Sequence, residues 1–434
     1  MIASALLFLF IAVLSAFSVS AASTDPPETT NCQALVLYDK THEKYVIEKN
    51  GYAILNTSTS AKITMGLVAC ETLADRLDET ITVTGEMLKG ASGYSMKLKD
   101  GERITIRDLL YGAICGSYND AAYVLANICG GSSQGFVEMM NAKALELGAK
   151  DTTYTNPLGY PDNDAMTTTA YNVLRIALAA SENELYMEIC SAVKHTVAST
   201  NISSERSFYN RNYLVSSASN PKYYNSYCLG MNAGYSGEAG GWSIVTLVRD
   251  SDSLGGDVDY ICVLLGGKEN EDGSEIYAYD DLNSIAKWAC RTYDNKVLFT
   301  KGAQLGTTSI GLTTVGDAPY IVADDLVVYV PSEVSSVSYK TELYDDIRAP
   351  LSAGDVIGKV IATVDGEKVG ECDLILKENY EINGIMRIID LIGSYTKSRA
   401  FIATIICFVL IMAAMIIYKY NHRYDSRGKY TRRK

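Results

Sequence analysis

Apolar positions repeat at two different periods along this chain, and the period changes with position. Residues 34–38 (Ala-Leu-Val-Leu-Tyr) and 44–47 (Lys-Tyr-Val-Ile) flank a polar turn and predict a β-hairpin. From Lys62 to Leu73 the apolar residues fall at helical spacing, and Ser58, Thr59 and Ser60 precede them as candidate N-cap residues. The same spacing predicts helices over 106–115, 119–129, 133–147 and 168–180. After about residue 185 the pattern turns to strands, clearest at 241–248 and 259–265, and a helix over 275–292 closes the region. Residues 296–377 differ in character and contain alternating segments. There 326–330 and 358–364, the latter followed by the turn Asp365-Gly366, predict a small all-β domain.

Two stretches are apolar with no period. Residues 2–19 lead into Ser18, Ser20, Ala21 and Ala22, which predicts a secretory signal over 1–22 cut after Ala21 or Ala22. Its start carries no Lys or Arg, so an uncleaved anchor is the other reading. Residues 400–418 form an uncharged run of roughly the 20 residues that a bilayer core needs. Lys419, Arg423, Arg427, Lys429, Arg432, Arg433 and Lys434 follow, against Asp425 alone. A basic segment beside a span marks the cytoplasmic side. The expectation is a single-pass helix in the cell membrane, a cytoplasmic tail over 419–434 and an extracellular ectodomain. Between the β-domain and the span, 378–399 places Ile382, Ile385, Ile388, Ile389 and Ile392 at roughly helical spacing. It reads as a solvated stalk or as a helix in the interface plane.

Charge narrows the partners. The chain has 38 basic and 51 acidic side chains. Setting the tail aside leaves 31 against 50, a net charge of −19, which argues against nucleic acid. Of the 10 cysteines, Cys407 lies in the span; Cys32, Cys70, Cys115, Cys129, Cys190, Cys228, Cys262, Cys290 and Cys372 are scattered singly. With no C-x-x-C pair and no histidine cluster, neither a metal site nor a cofactor is expected. Buried thiols are expected, with one or two disulfides left open. The histidines are His42, His195 and His422, and no nucleophile elbow accompanies them. Hydrolytic chemistry here must run without histidine.

Three short segments carry the candidate chemistry: Thr59-Ser60-Ala61-Lys62, Ser117-Tyr118-Asn119 and Asn232-Ala233-Gly234. Their order resembles the S-x-x-K, S-x-N and K-T-G triplets of penicillin-binding proteins. The flanks extend the likeness. Residues 62–71 (Lys-Ile-Thr-Met-Gly-Leu-Val-Ala-Cys-Glu) resemble the helix after the nucleophile in D-alanyl-D-alanine carboxypeptidases. Residues 108–112 leading into 116–122 are similar to the family's S-G-N-D-A-A segment, 147–159 to its stretch ending N-P-x-G, and 234–240 to the turn after K-T-G. The chain is therefore identified as a member of that family over about 32–377. The resemblance implies an α/β (α+β) fold of the β-lactamase/transpeptidase type: an antiparallel sheet with helices on both faces and a helical subdomain. It would occupy residues 30–295, with the small β-domain at 296–377, the stalk at 378–399 and one transmembrane helix beyond.

The resemblance also implies a mechanism. A serine attacks the carbonyl between the terminal D-alanines of a peptidoglycan stem peptide, a lysine takes its proton, and water releases the acyl-enzyme. β-Lactams mimic the dipeptide. Carried over, Thr59, Lys62, Ser117 and Asn119 are the catalytic positions, and Tyr118, Asn232, Ala233 and Gly234 bind substrate. The departures are sharp. Thr59 stands where serine is expected, and its β-methyl stiffens χ1 and crowds the attack; a register starting at Ser58 is the alternative nucleophile. Asn232 lacks the lysine's cation and Ala233 the threonine's hydroxyl. Lys62, Ser117 and Asn119 fit either a catalytic set or a hydrogen-bonded strut. Three readings follow: a degenerate carboxypeptidase that binds peptidoglycan with little turnover, a working peptidase using Thr59 or Ser58, and a scaffold. The first is the leading expectation.

Overall fold

The computed structural model describes residues 25–160, 166–238, 240–251 and 256–428. The expected signal and the end of the basic tail lie outside them. The chain divides into two compact units, Met1–Asn295 with Val330–Glu333, and Lys296–Tyr329 with Val334–Lys434.

In chain order the first unit runs β1 (Ala34–Asp39), β2 (Lys44–Lys49), β3 (Leu55–Asn56), a 3₁₀ turn (Ser58–Ser60), α1 (Ala61–Leu73), β4 (Thr80–Thr82) and β5 (Arg103–Thr105). It continues through α2 (Ile106–Ile114), α3 (Asn119–Gly130), α4 (Ser133–Glu146), β6 (Thr167–Thr168), α5 (Ala170–Ser181) and α6 (Glu184–Ser191). The hairpin β7 (Lys194–Val197) and β8 (Arg206–Tyr209) precedes β9 (Cys228–Ser236), β10 (Gly241–Asp250), β11 (Val258–Gly267) and α7 (Tyr277–Thr292). The main sheet has the order β2-β1-β11-β10-β9, antiparallel throughout, with β9 on an edge.

Buried residues set this arrangement. α1 is apolar on every side, the mark of a helix enclosed by its neighbours. Ala61, Ile63, Met65 and Leu67 join one core with Leu109 and Leu110 of α2, Val124 and Leu125 of α3, and Val245, Ile261 and Val263 of the sheet. Four of the helices, α2, α4, α5 and α6, start on side-chain caps that answer orphan amides. Thr105 accepts from Asp108 N, Ser132 from Gly135 N, Thr169 from Asn172 N and Asn183 from Tyr186 N. The expected cap at α1 is absent, because the Ser60 hydroxyl donates to the Thr57 carbonyl and the chain enters through the 3₁₀ turn. Strand pattern was expected from 185, but Glu184–Ser191 is helical. Its Asn183 cap and its buried Tyr186, Ile189 and Cys190 explain it.

In the second unit β12 (Tyr293–Phe299) pairs with β15 (Leu326–Pro331). A curled sheet follows the order β13 (Gln304–Thr308), β14 (Ala318–Val322), β18 (Glu367–Leu376), β17 (Val356–Val364) and β16 (Ser338–Leu343). Asp365 and Gly366 both have positive φ, 51° and 87°, as the tight β17–β18 hairpin requires. The segment expected as stalk holds a helix, α8 (Gly384–Lys397), capped by the Asn383 side chain. It leaves Ile385, Ile388, Ile389, Leu391 and Ile392 exposed. α9 (Arg399–Gly428) contains a stretch, Arg399–Tyr420, long and apolar enough to cross a membrane.

All ten cysteines are free thiols, seven of them buried. Burial pushes the Cys190 thiol up to about 12, which leaves it protonated and inert.

Candidate active site

The turn before α1 is held from three directions. Asn56 Oδ1 accepts from Ser58 N at 2.9 Å, Ser60 N donates to Thr57 O at 3.2 Å, and Thr57 N donates to Met166 O at 3.4 Å. Ser58 is forced to φ 47°, a conformation few non-glycine residues adopt. Gly159 explains why the 156–159 block must end in glycine. A Cβ there would sit 1.7 Å from Ser58 O, and its φ is 82°. Asn156 shapes that block by accepting from Leu158 N and Gly159 N, both at 3.0 Å.

One helical turn on, Lys62 is 6 % exposed and gives each of its three protons to an acceptor. Nζ lies 2.6 Å from Ser117 O, 2.9 Å from Ser117 Oγ and 2.8 Å from Asn119 Oδ1. Burial, and then the nearby Arg211 guanidinium, pull its ammonium down to about 7, against a smaller opposing pull from Asp120. Ser117 is itself left-handed, φ 55°. Asn119 is fixed by Nδ2 donating to Ser92 O at 2.5 Å and to Tyr160 Oη at 3.2 Å. Asp120 accepts from Met96 N, Leu98 N and Ser95 Oγ, and so ties down the loop carrying Tyr94. Tyr94 stacks on Tyr118 at 4.8 Å.

Edge strand β9 closes the site. Its register places Asn232 opposite Val245, Ala233 opposite Ile244 and Gly234 opposite Ser243. Asn232 Nδ2 donates to Thr59 O at 2.9 Å. A Cβ on Gly234 would lie 2.7 Å from both Thr59 Oγ1 and Cγ2, so only glycine lets the strand approach. The sequence-predicted residues therefore meet in one place, with one connection missing. Thr59 Oγ1 is buried and has no hydrogen-bond partner, Lys62 included; Ser58 Oγ and Thr57 Oγ1 are in the same state.

Arg211 escaped the sequence reading. Its backbone N–H donates to Cys115 O, Nη1 lies 3.0 Å from Tyr213 Oη, and its guanidinium sits over the Tyr94 ring at 5.0 Å. A usable signal was the pair Asn210 and Asn212 around a lone arginine. Asn210 Nδ2 donates to Cys190 O and Ala192 O, and Asn212 Nδ2 to Gly230 O, which fixes the arginine between them. Among the described residues no group of three or more His, Cys, Asp or Glu could hold a metal ion.

The D-alanyl-D-alanine carboxypeptidase family profile matches residues 20–268. A profile of the penicillin-binding protein 5 C-terminal domain matches 293–381. D-alanyl-D-alanine carboxypeptidase DacF of Bacillus subtilis is 22% identical over 375 residues, spanning 85% of this chain and 90% of its own length. DacC of Escherichia coli is 25% identical over 396 residues, 87% of this chain and 90% of its own. Among solved structures, penicillin-binding protein 5 from Haemophilus influenzae aligns with TM-score 0.58 at 20% identity, covering 82% of this chain and 99% of that one. Penicillin-binding protein 6B from Escherichia coli gives 0.59 at 19%, covering 82% and 99%. At such identities the structural likeness shows the fold, which is the mixed α/β architecture expected above.

Proposed function

The chain belongs to the D-alanyl-D-alanine carboxypeptidase family, and from that premise we propose that it engages D-Ala-D-Ala-ended peptidoglycan stem peptides with little or no turnover. The observation that carries this reading is the strand Asn232-Ala233-Gly234. The family's cation and hydroxyl for a substrate carboxylate are gone from it, and the asparagine amide is spent on Thr59 O. Each lost hydrogen bond to a charged group is worth roughly 1.5–3 kcal/mol, so recognition weakens on the order of 100-fold or more. The Thr59 hydroxyl is in addition unconnected to Lys62. What survives for binding is the outer edge of β9, the last strand of its sheet, which an extended peptide can join, and Gly234 beside Thr59. β-Lactams, as dipeptide mimics, would be poor acylators here. The apolar helix Arg399–Tyr420 anchors the protein in the cell membrane, with the ectodomain outside and the basic tail in the cytoplasm.

A second reading keeps catalysis, and one observation favours it. A lysine pulled down to about 7 is substantially neutral at neutral pH, as a general base must be. Thr59 Oγ1 would then attack the scissile carbonyl as its proton passes to Lys62 Nζ. That proton would go on to the departing D-alanine amine as the C–N bond breaks, and water would hydrolyse the ester. The test uses the full chain in detergent with a D-Ala-D-Ala-ended pentapeptide, following both D-alanine release and peptide affinity. Binding with release at least about 100-fold below an active relative supports the first reading. Release matching the relative contradicts it.

A further inference from the structure

A cavity of about 440 Å³ opens at the start of α5, lined by residues that include Tyr52, Lys150, Asp151, Tyr171, Asn172 and Arg175. It shares no residue with the Thr59 site. Four features single it out. Lys150 and Arg175 form no ion pair with any described residue, and Asp151 is the one acid in the lining, so the cavity is positive within an acidic chain. Arg175 Nη1 lies over Gly148, 3.7 Å from where a Cβ would be, which keeps the guanidinium beside the cavity. Asn172 lines the cavity at 5 % exposure, yet its buried Nδ2 has no hydrogen-bond partner. Finally Tyr52, 79 % exposed, is braced against the Tyr171 ring at 4.2 Å. Gly51 permits this, since a Cβ there would lie 2.5 Å from Tyr171.

Two amides in the first turn of α5 are already used. Thr169 Oγ1 takes Asn172 N, and Tyr171 N donates to Gly51 O, so these two amides are closed to a ligand and the helix end contributes chiefly its dipole. The binding chemistry must come from the two cations and the ring. Two cations against a single acid call for an anion. The volume is well beyond a bare phosphate or carboxylate and suits a small ring compound. An exposed, braced tyrosine offers a flat face for the C–H surface of a sugar. The polar lining disfavours an apolar guest.

We propose that this cavity binds an anionic saccharide unit, a sugar bearing phosphate or carboxylate, as a second site separate from the Thr59 cleft. The proposal does not depend on whether that cleft turns over.

The test is calorimetric titration of the full chain in detergent with three probes: N-acetylglucosamine 6-phosphate, N-acetylmuramic acid and uncharged N-acetylglucosamine. At least one charged sugar should bind about tenfold or more tighter than the neutral one, with affinity falling as salt rises. Preference for the phosphate points to a phosphorylated polymer, and preference for the lactyl carboxylate to a muramyl chain. K150Q and R175Q should each weaken the charged probe about tenfold, and Y52A should weaken it too, at unchanged melting temperature. These side chains are exposed, so the variants are expected to fold. Equal affinity for the neutral sugar, no binding of any probe, or binding unmoved by K150Q and R175Q would overturn the proposal.

Discussion

The side-chain amide of Asn232 donates to the backbone carbonyl of Thr59 at 2.9 Å, tying the edge strand to the turn before α1. Here the position supplies a neutral strut between strand and turn.

Restoring the missing groups should restore recognition. N232K combined with A233T is expected to tighten binding of a D-Ala-D-Ala-ended peptide by about 10–100-fold, read by calorimetry, because two hydrogen bonds to a carboxylate return. N232A should loosen the turn and cost about 1 kcal/mol by chemical denaturation. If the double variant binds no better than the parent, the substitutions are not what weakened the site.

Gly234 is a steric requirement at this site. G234A places a methyl 2.7 Å from Thr59 Cγ2 and should destabilise the first unit by about 1–3 kcal/mol. In a Thr59→Ser background Cγ2 is absent, and the penalty should shrink. Denaturation of the four proteins in a double-mutant cycle measures that coupling. Additive costs would show that the two residues do not press on each other.

Lys62 makes stability depend on pH in a defined direction. Its folded ammonium loses its proton near 7, whereas the unfolded lysine keeps it to about 10.4. Between those values the unfolded lysine holds its proton and the folded one does not, so the Lys62 contribution to stability rises with pH and levels off on either side. The gain is on the order of several kcal/mol at most. In K62M that rise should vanish, although the variant is less stable overall because Ser117 and Asn119 lose a donor. Parallel pH profiles for the two proteins would rule out a depressed lysine.

Much of this was legible in the sequence, for reasons that differ by element. α1, α2, α3 and the β17–β18 hairpin stand close to where periodicity and Asp365-Gly366 put them, because core burial and a two-residue turn leave local marks. The meeting of Lys62 with Ser117 and Asn119 followed from the resemblance, since no periodicity links residues more than fifty apart. Arg211 was marked only by the asparagines on either side of it. Its place depends on side-chain bonds from Asn210 and Asn212 to carbonyls far along the chain. The left-handed Ser58, which turns the expected cap into a 3₁₀ entry, was unreadable, because Asn56 and Gly159 impose it.

The membrane end carries its own prediction. Full-length protein should stay with membranes through carbonate washing, and removal of residues 399–434 should release most of it. α8 keeps five large apolar side chains exposed, so the truncated protein should retain weak, detergent-sensitive vesicle binding that I388D and I392D reduce. Truncated protein that stays fully membrane-bound would contradict anchoring by α9.

The most direct measurement is intact-mass analysis of the full chain in detergent after incubation with a reactive penicillin, beside an active relative. Little or no adduct is expected while the relative is labelled to completion and this chain remains folded. A stoichiometric adduct mapped to Thr59 or Ser58 would contradict the account, showing that Lys62 still drives acylation without the lost lysine and threonine.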